Sequence, residues 1–106
     1  MYYTILDVWK NNKSMKDYIG GRYREEQGKF SDIDALGVFV DNHDNPRFLH
    51  NNGDHKAFTS AIVFSMTSRG IPFVYYGSEQ YYDGGADPQN REILWNNFNT
   101  QQPLYQ

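Results

Sequence analysis

The sequence predicts an α/β fold: a strand–helix–strand unit with parallel strands, a fragment of the repeat that closes into a (β/α)8 TIM barrel. Three observations carry this expectation. The apolar run Leu36–Val40 has strand length and ends abruptly in Asp41-Asn42-His43-Asp44-Asn45-Pro46. A buried parallel strand has this form when its C-terminal end opens into a polar site. A second apolar run, Ile71–Tyr76, ends in Gly77-Ser78-Glu79-Gln80. Between them His55–Ser68 has a helical pattern of the length that a crossover between parallel strands requires.

Tyr2–Lys10, before this unit, is apolar-rich and fits strand or helix equally; Asn11-Asn12 ends it. Ser14 is the expected N-cap of a helix over Met15–Gln27, with Asp17 in its first turn to favour the helix dipole. Met15, Tyr18, Ile19, Arg22 and Tyr23 give that helix one mostly apolar face. Gly20 and Gly21 weaken it by about 1 kcal/mol each relative to alanine, and Gly28 is the expected C-cap. Phe30–Asp34 connects to the first strand. Asp41–Asp54 forms a polar loop, and Asp54 or Asn52 caps the helix that begins at His55. Ala57, Phe58, Ala61, Ile62, Phe64 and Met66 spread around that helix, which predicts that it is largely buried. Gly70 is the expected C′ residue. Pro72 lies near the start of the second strand, where a missing N–H is tolerated. Tyr81–Asn90 is a Gly/Asp loop. Asp87-Pro88 predicts an N-cap with proline at the first helical position, and Arg91 lies four residues on, within ion-pair range. Thr100–Tyr105 reads as the opening of another helix.

At 106 residues the chain is one domain at most, whereas a closed (β/α)8 barrel takes at least ~200. Both strands are expected to be buried on both faces, yet each has an unpaired outer edge. Residues 1–106 therefore read as part of a larger domain, or as a chain that must associate. The net charge of −3 and the absence of any Lys/Arg run argue against nucleic acid as a partner. Without cysteine, disulfides and thiolate metal sites are excluded. Apolar stretches are too short for a membrane span. The first ten residues carry Asp7 and no basic segment, which argues against a signal peptide. Aromatic content is high at 17%; most of these rings are expected to pack in the core, with sugar stacking open to a few.

The polar cluster admits several chemistries. An EF-hand loop starting at Asp41 fails because Pro46 stands where glycine is needed, and one starting at Asp83 places Gly85 at a ligand position. His43, His50 and His55 lack the spacing of a zinc site. Ser78 has no nucleophile-elbow context for a Ser-His-Asp triad. Glycoside hydrolysis needs paired carboxylates, and Asp41 and Asp44 at one strand end, with Glu79 past the next, can face one barrel cavity. Asp41–Asp44 can equally serve as loop-capping groups, and Asp87 and Arg91 as an N-cap with an i,i+4 pair.

The run Phe39-Val40-Asp41-Asn42-His43-Asp44 resembles the block at the seventh barrel strand of the α-amylase family, glycoside hydrolase family 13. Asn45-Pro46-Arg47-Phe48 continues it as in fungal-type α-amylases. Gly70-Ile71-Pro72 and Tyr75-Tyr76-Gly77-Ser78-Glu79-Gln80 resemble the eighth strand, and Gly84–Glu92 the substrate-binding loop after it. The opening Tyr2-Tyr3 with its following helix is also similar, so the resemblance covers nearly the whole chain and implies about the last two β/α units of the barrel. It implies that residues 1–106 are one incomplete catalytic barrel domain that needs the rest of the barrel or self-association, and that Asp44 is the family's third carboxylate, which stabilises the transition state and holds the distorted sugar. It implies that His43 hydrogen-bonds the same ring, and that Asp87 and Arg91 contact glucose hydroxyls near the cleaved bond. The implied substrate is an α-glucan or oligosaccharide such as starch or glycogen, with cleavage of α-1,4-glucosidic bonds. Glu79-Gln80 and the Gly84–Glu92 loop favour that bond over other α-glucosidic linkages. Secretion is implied by the resemblance alone.

Two departures qualify this. The family's nucleophilic aspartate and its general-acid glutamate are absent, and a retaining mechanism needs both. The segment with the main calcium ligands is also absent. No cofactor is expected in this chain, although calcium is expected for the complete family enzyme. The isolated chain is therefore expected to be inactive, and the alternative is a non-catalytic glucan-binding or scaffold remnant of an amylase.

Overall fold

The computed structural model describes residues 1–51 and 53–106. The element order is α1 (Tyr2–Trp9), α2 (Met15–Gln27), β1 (Gly37–Val38), α3 (His55–Thr67) and β2 (Ile71–Pro72), with short 3-10 turns at Ile33–Ala35, Phe48–Asn51 and Ser78–Gln80. The open choice at Tyr2–Lys10 is thus settled as helix. Ser14 caps α2 by accepting the Asp17 N–H at 3.3 Å. Asp54 caps α3 by accepting the N–H groups of Lys56 and Ala57 at 2.9 and 3.0 Å. Asn52, the alternative cap, lies outside the described residues.

The two strands pair in parallel with Gly37 opposite Ile71 and Val38 opposite Pro72. The Ile71 N–H donates to the Leu36 carbonyl and the Phe73 N–H to the Val38 carbonyl, both at 2.8 Å. Both strands are shorter than the apolar runs that predicted them, because the described residues provide only one neighbour each. Val38 and Val40 are buried, but Ile71, Phe73 and Val74 are about half exposed. That corrects the expectation of strands buried on both faces. Gly70 joins α3 to β2 one residue later than the C′ position, since Ser68 is the C-cap. Its φ of +111° and the Leu36 carbonyl, 2.6 Å from where a Cβ would stand, both require glycine.

The core lies between α1, β1 and α3. Ile5, Val38, Val40, Phe48, Leu49, Phe58, Ala61 and Ile62 form it, and fully burying each large apolar side chain contributes about 1.5–3 kcal/mol. Phe48 and Phe58 meet with ring centroids 5.5 Å apart. Trp9 fastens α1 to α3, donating to the Ser60 hydroxyl at 3.0 Å and packing on Phe64. α3 is less buried than its composition suggests: Phe58, Ala61, Ile62 and Ser65 face the core, while Val63 and Met66 are half exposed. On α2 only Ile19 of the expected apolar face is buried, with Met15 and Tyr18 outside.

Two expected helices do not form. Ala86–Gln89 is a turn, in which the Gln89 N–H donates to the Ala86 carbonyl at 2.8 Å and the Arg91 N–H to the Pro88 carbonyl at 3.0 Å. Asp87 is therefore not an N-cap, and the Asp87–Pro88 peptide is cis. Residues 99–105 form turns instead of a helix. The Asn99 N–H is taken by the Gln80 side chain at 2.7 Å, so a long-range partner replaces local helical bonding.

Candidate functional site

The loop after β1 is built on Asn42. Its side-chain oxygen accepts the N–H groups of Asp44 and Asn45 at 3.1 and 3.0 Å, a local turn that side-chain amides favour. Helix α1 braces the loop from one side. The Tyr3 hydroxyl donates to the Asn45 side chain at 3.0 Å and the Tyr2 hydroxyl to the Pro46 carbonyl at 2.9 Å. Burial, with the nearby Asp41 charge adding to it, pushes the Tyr2 phenol up to about 12, so it remains a donor.

His43 and Asp44 project from this braced loop into solvent, with imidazole Nε2 3.3 Å from the Asp44 carboxylate. They stand at the mouth of a recess of about 360 Å³ whose walls include Phe39, Phe73 and Tyr75. Asp87 and Arg91 pair at 3.1 Å. The Arg91 guanidinium donates to the His43 carbonyl at 3.4 Å, which brings that pair beside His43 and Asp44. Four of the sequence-predicted residues therefore converge.

The other candidates separate from them. Glu79 lines a different recess, with Ile62, Val63 and Met66 of α3, and does not share the Asp44 cavity. The 3-10 turn at Ser78–Gln80 carries the chain toward the helix layer, which sequence spacing could not show. His50 Nδ1 contacts the Asp83 carbonyl at 3.0 Å, and His55 stacks on Tyr81. Among the described residues no three His, Asp or Glu side chains converge to hold a metal ion. The described carboxylates and imidazoles therefore do not gather into a calcium site. No helix among the described residues is long and apolar enough to cross a membrane.

Asp41, the other carboxylate of the strand end, is buried. It accepts the Phe48 N–H at 2.7 Å and the Ser78 hydroxyl at 3.4 Å, with the Arg47 guanidinium 3.9 Å away. Burial raises its pKa above the ordinary aspartate value; the Phe48 N–H, Arg47 and Ser78 only partly oppose that. Native Asp41 thus holds its proton more tightly than unfolded Asp41. Its contribution to stability is present below the ordinary aspartate pKa and is lost as pH rises through the native one. The exposed carboxylates Glu25, hydrogen-bonded to Lys29, and Asp34, hydrogen-bonded to Arg69, have lowered pKa values and act in the opposite direction. The difference between Asp41→Asn and the parent isolates the first effect. In urea melts from pH 4 to pH 7 the variant should gain stability relative to the parent as pH rises; a constant difference would refute the assignment.

Sequence reasoning missed the residues that hold these loops together. Arg47 is buried and donates from Nε and Nη2 to Glu92 at 3.1 and 2.9 Å, and from Nη1 to the Tyr76 carbonyl at 2.8 Å. The Tyr75 ring lies 4.3 Å from its guanidinium carbon. The other Glu92 oxygen accepts the Gly84 N–H at 2.6 Å, and the Gly84 carbonyl accepts the Arg47 N–H at 2.9 Å. Asn90, also buried, donates to the carbonyls of His43 and Asn45, both at 2.9 Å. The available signal was their place inside the family-like blocks Asn45–Phe48 and Gly84–Glu92, which does not say what they bind.

Carboxylate, imidazole and guanidinium gathered at the C-terminal ends of parallel strands occupy the side of an α/β barrel where its chemistry is placed. Comparison with known proteins gives the family. Residues 9–105 match the family described as "Alpha amylase, catalytic domain". A beta/alpha-amylase of Paenibacillus polymyxa is 44% identical over the whole chain, which spans 9% of that protein. The solved α-amylase of Malbranchea cinnamomea superposes with a TM-score of 0.86 at 39% identity, over 98% of this chain and 22% of that one. A cyclomaltodextrin glucanotransferase with a three-domain ABC distribution superposes with a TM-score of 0.87 at 34% identity, over 98% and 22%. The chain belongs to the alpha-amylase family of glycoside hydrolases, has the α/β-barrel fold of that family, and spans from about a tenth to a fifth of the length of these relatives.

Proposed function

We propose that residues 1–106 are the part of a retaining α-1,4-glucan hydrolase that holds the sugar at the cleaved bond. Asp44 stabilises the oxocarbenium-like transition state. A fixed carboxylate that accepts hydrogen bonds from sugar hydroxyls binds more strongly as positive charge develops on the ring. His43 hydrogen-bonds the same ring, and Asp87 with Arg91 contacts the hydroxyls beside it. The observation that supports this most is that His43 and Asp44 line a recess with aromatic walls while Arg91, paired with Asp87, reaches the His43 carbonyl. Polar groups orient a sugar, and ring faces cover its apolar side. The nucleophile and the proton donor are expected on other segments of the complete enzyme. The fungal-type assignment rests on Asn45–Phe48 as a continuation of the Asp44 block.

The second reading is a non-catalytic glucan-binding or scaffold protein. Both readings predict that the chain alone releases no reducing sugar from soluble starch, because stabilisation by Asp44 has no bond-breaking step to act on. Release above a buffer blank, abolished by Asp44→Ala, would contradict both. Adding a separately expressed segment that carries the two missing carboxylates separates them: restored hydrolysis supports the enzyme reading, and maltoheptaose binding by the chain alone without restored hydrolysis supports the scaffold. The exposed Ile71, Phe73 and Val74 are proposed to seat further barrel strands. The lone chain is accordingly expected to self-associate, since open strand edges template pairing. A concentration-independent monomer in sedimentation velocity would overturn that expectation.

A further inference from the structure

Asn90 lies between the two loops of the proposed site and touches neither sugar-facing group. Its side chain is wholly buried. Its amide nitrogen donates to the carbonyl of His43, immediately before Asp44, and to that of Asn45, immediately after it. Both acceptors are carbonyl oxygens, so the amide can stand only with its nitrogen toward them. One residue further along is Arg91, whose pair with Asp87 carries the second half of the site. The direct contact from Arg91 to the His43 carbonyl is longer, at 3.4 Å. Asn42 holds the Asp44 and Asn45 N–H groups within the loop, but that turn is local and fixes nothing relative to Arg91.

We propose that Asn90 is a positioning residue: by holding the carbonyls on either side of Asp44 it fixes the backbone that carries Asp44 and locks that backbone in register with the Asp87–Arg91 loop. This rests on the glycosidase reading for what the register is used for, but the clamp itself can be tested without sugar. No other residue type of this size donates two hydrogen bonds from one atom. Asn90→Ala leaves both carbonyls facing an empty buried space. Asn90→Asp keeps the shape, yet its ionised form faces two carbonyl oxygens, and its protonated form can donate to only one. A buried carboxyl in that setting is held in the protonated form.

The experiment uses the full chain, labelled with 15N and 13C. In Asn90→Ala, solvent exchange of the Asp44 and Asn45 amides is expected to accelerate by about ten- to a hundredfold, while the Ile19 and Tyr23 amides of α2 keep their parent rates. In Asn90→Asp, the introduced carboxyl 13C signal is expected to titrate above the ordinary aspartate range, with Asp44 amide exchange slowing as the group gains its proton. A general loss of stability would accelerate α2 as well and leave no raised titration. If Asn90→Ala unfolds the chain, Asn90→Asp decides. An ordinary titration there, or unchanged Asp44 exchange in a folded variant, overturns the proposal. Neither readout involves substrate. A failure of the glycosidase reading, seen as an Asp44 substitution without kinetic effect, would leave both results standing and is separately recognisable.

Discussion

Asp44→Asn is expected to lower kcat by about 10²–10³ while leaving KM within a few-fold of the parent, once this segment stands in a polypeptide that also carries the nucleophile and the acid. A chimera in which residues 1–106 replace the matching segment of the Malbranchea cinnamomea α-amylase provides that setting. The change from carboxylate to amide is nearly isosteric, so the contacts of Asn42, Tyr2 and Asn90 with the surrounding backbone, and of Tyr3 with the Asn45 side chain, are retained. Only the charge is removed. A substrate in its ground state is neutral and loses little, whereas the transition state carries positive charge and loses the group that compensates it. A sharp rise in KM at constant kcat would instead make Asp44 a ground-state binding residue. A variant with unaltered kcat and KM would remove it from the site altogether.

The legible parts of this fold are those whose causes are local. Ser14 and Asp54 cap their helices because an oxygen two or three residues from the first free N–H groups needs no other information. The parallel pair around Gly37 and Ile71 was readable from two apolar runs separated by a helix of crossover length. His43, Asp44, Asp87 and Arg91 were proposed from their sequence blocks, and the fold brings the Asp87–Arg91 pair to the His43 carbonyl. Asp87-Pro88 misled because an N-cap signature and a tight turn use the same residues. The competing partners lay outside the window: Asn90 is 47 residues from His43, and Glu92 is 45 from Arg47. Glu79 misled for a related reason. Its place past a strand end was right, but the turn at Ser78–Gln80 sends it toward α3. Strand burial was overestimated because it depends on neighbours that no local pattern encodes, as the exposure of Phe73 and Val74 shows.

Arg47 carries the largest expected effect on stability. Its guanidinium is fully enclosed and satisfies Glu92, the Tyr76 carbonyl and, at longer range, Asp41, with the Tyr75 ring against it. Arg47→Ala removes the cation and leaves its partners in place. Asp41, already pushed toward its protonated form by burial, loses the main charge that offsets that burial. Glu92 keeps only the Gly84 N–H as a partner, and Gly84 itself sits where a Cβ would overlap the Gln89 carbonyl, so the loop has no easy way to collapse into the space. Breaking one side of a buried ion pair costs about 3–5 kcal/mol, which is comparable to the whole stability of many domains of this size. The chain carrying Arg47→Ala is accordingly expected to lose its cooperative urea transition at pH 7. Some structure should return near pH 4, where protonation of Asp41 removes one of the stranded charges. Arg47→Lys should fall between the two, because an ammonium cannot reproduce the planar fork that reaches Glu92 and Tyr76 together. A transition midpoint for Arg47→Ala equal to that of the parent would show that the network contributes nothing to stability, and that the Gly84–Glu92 loop is held by other contacts.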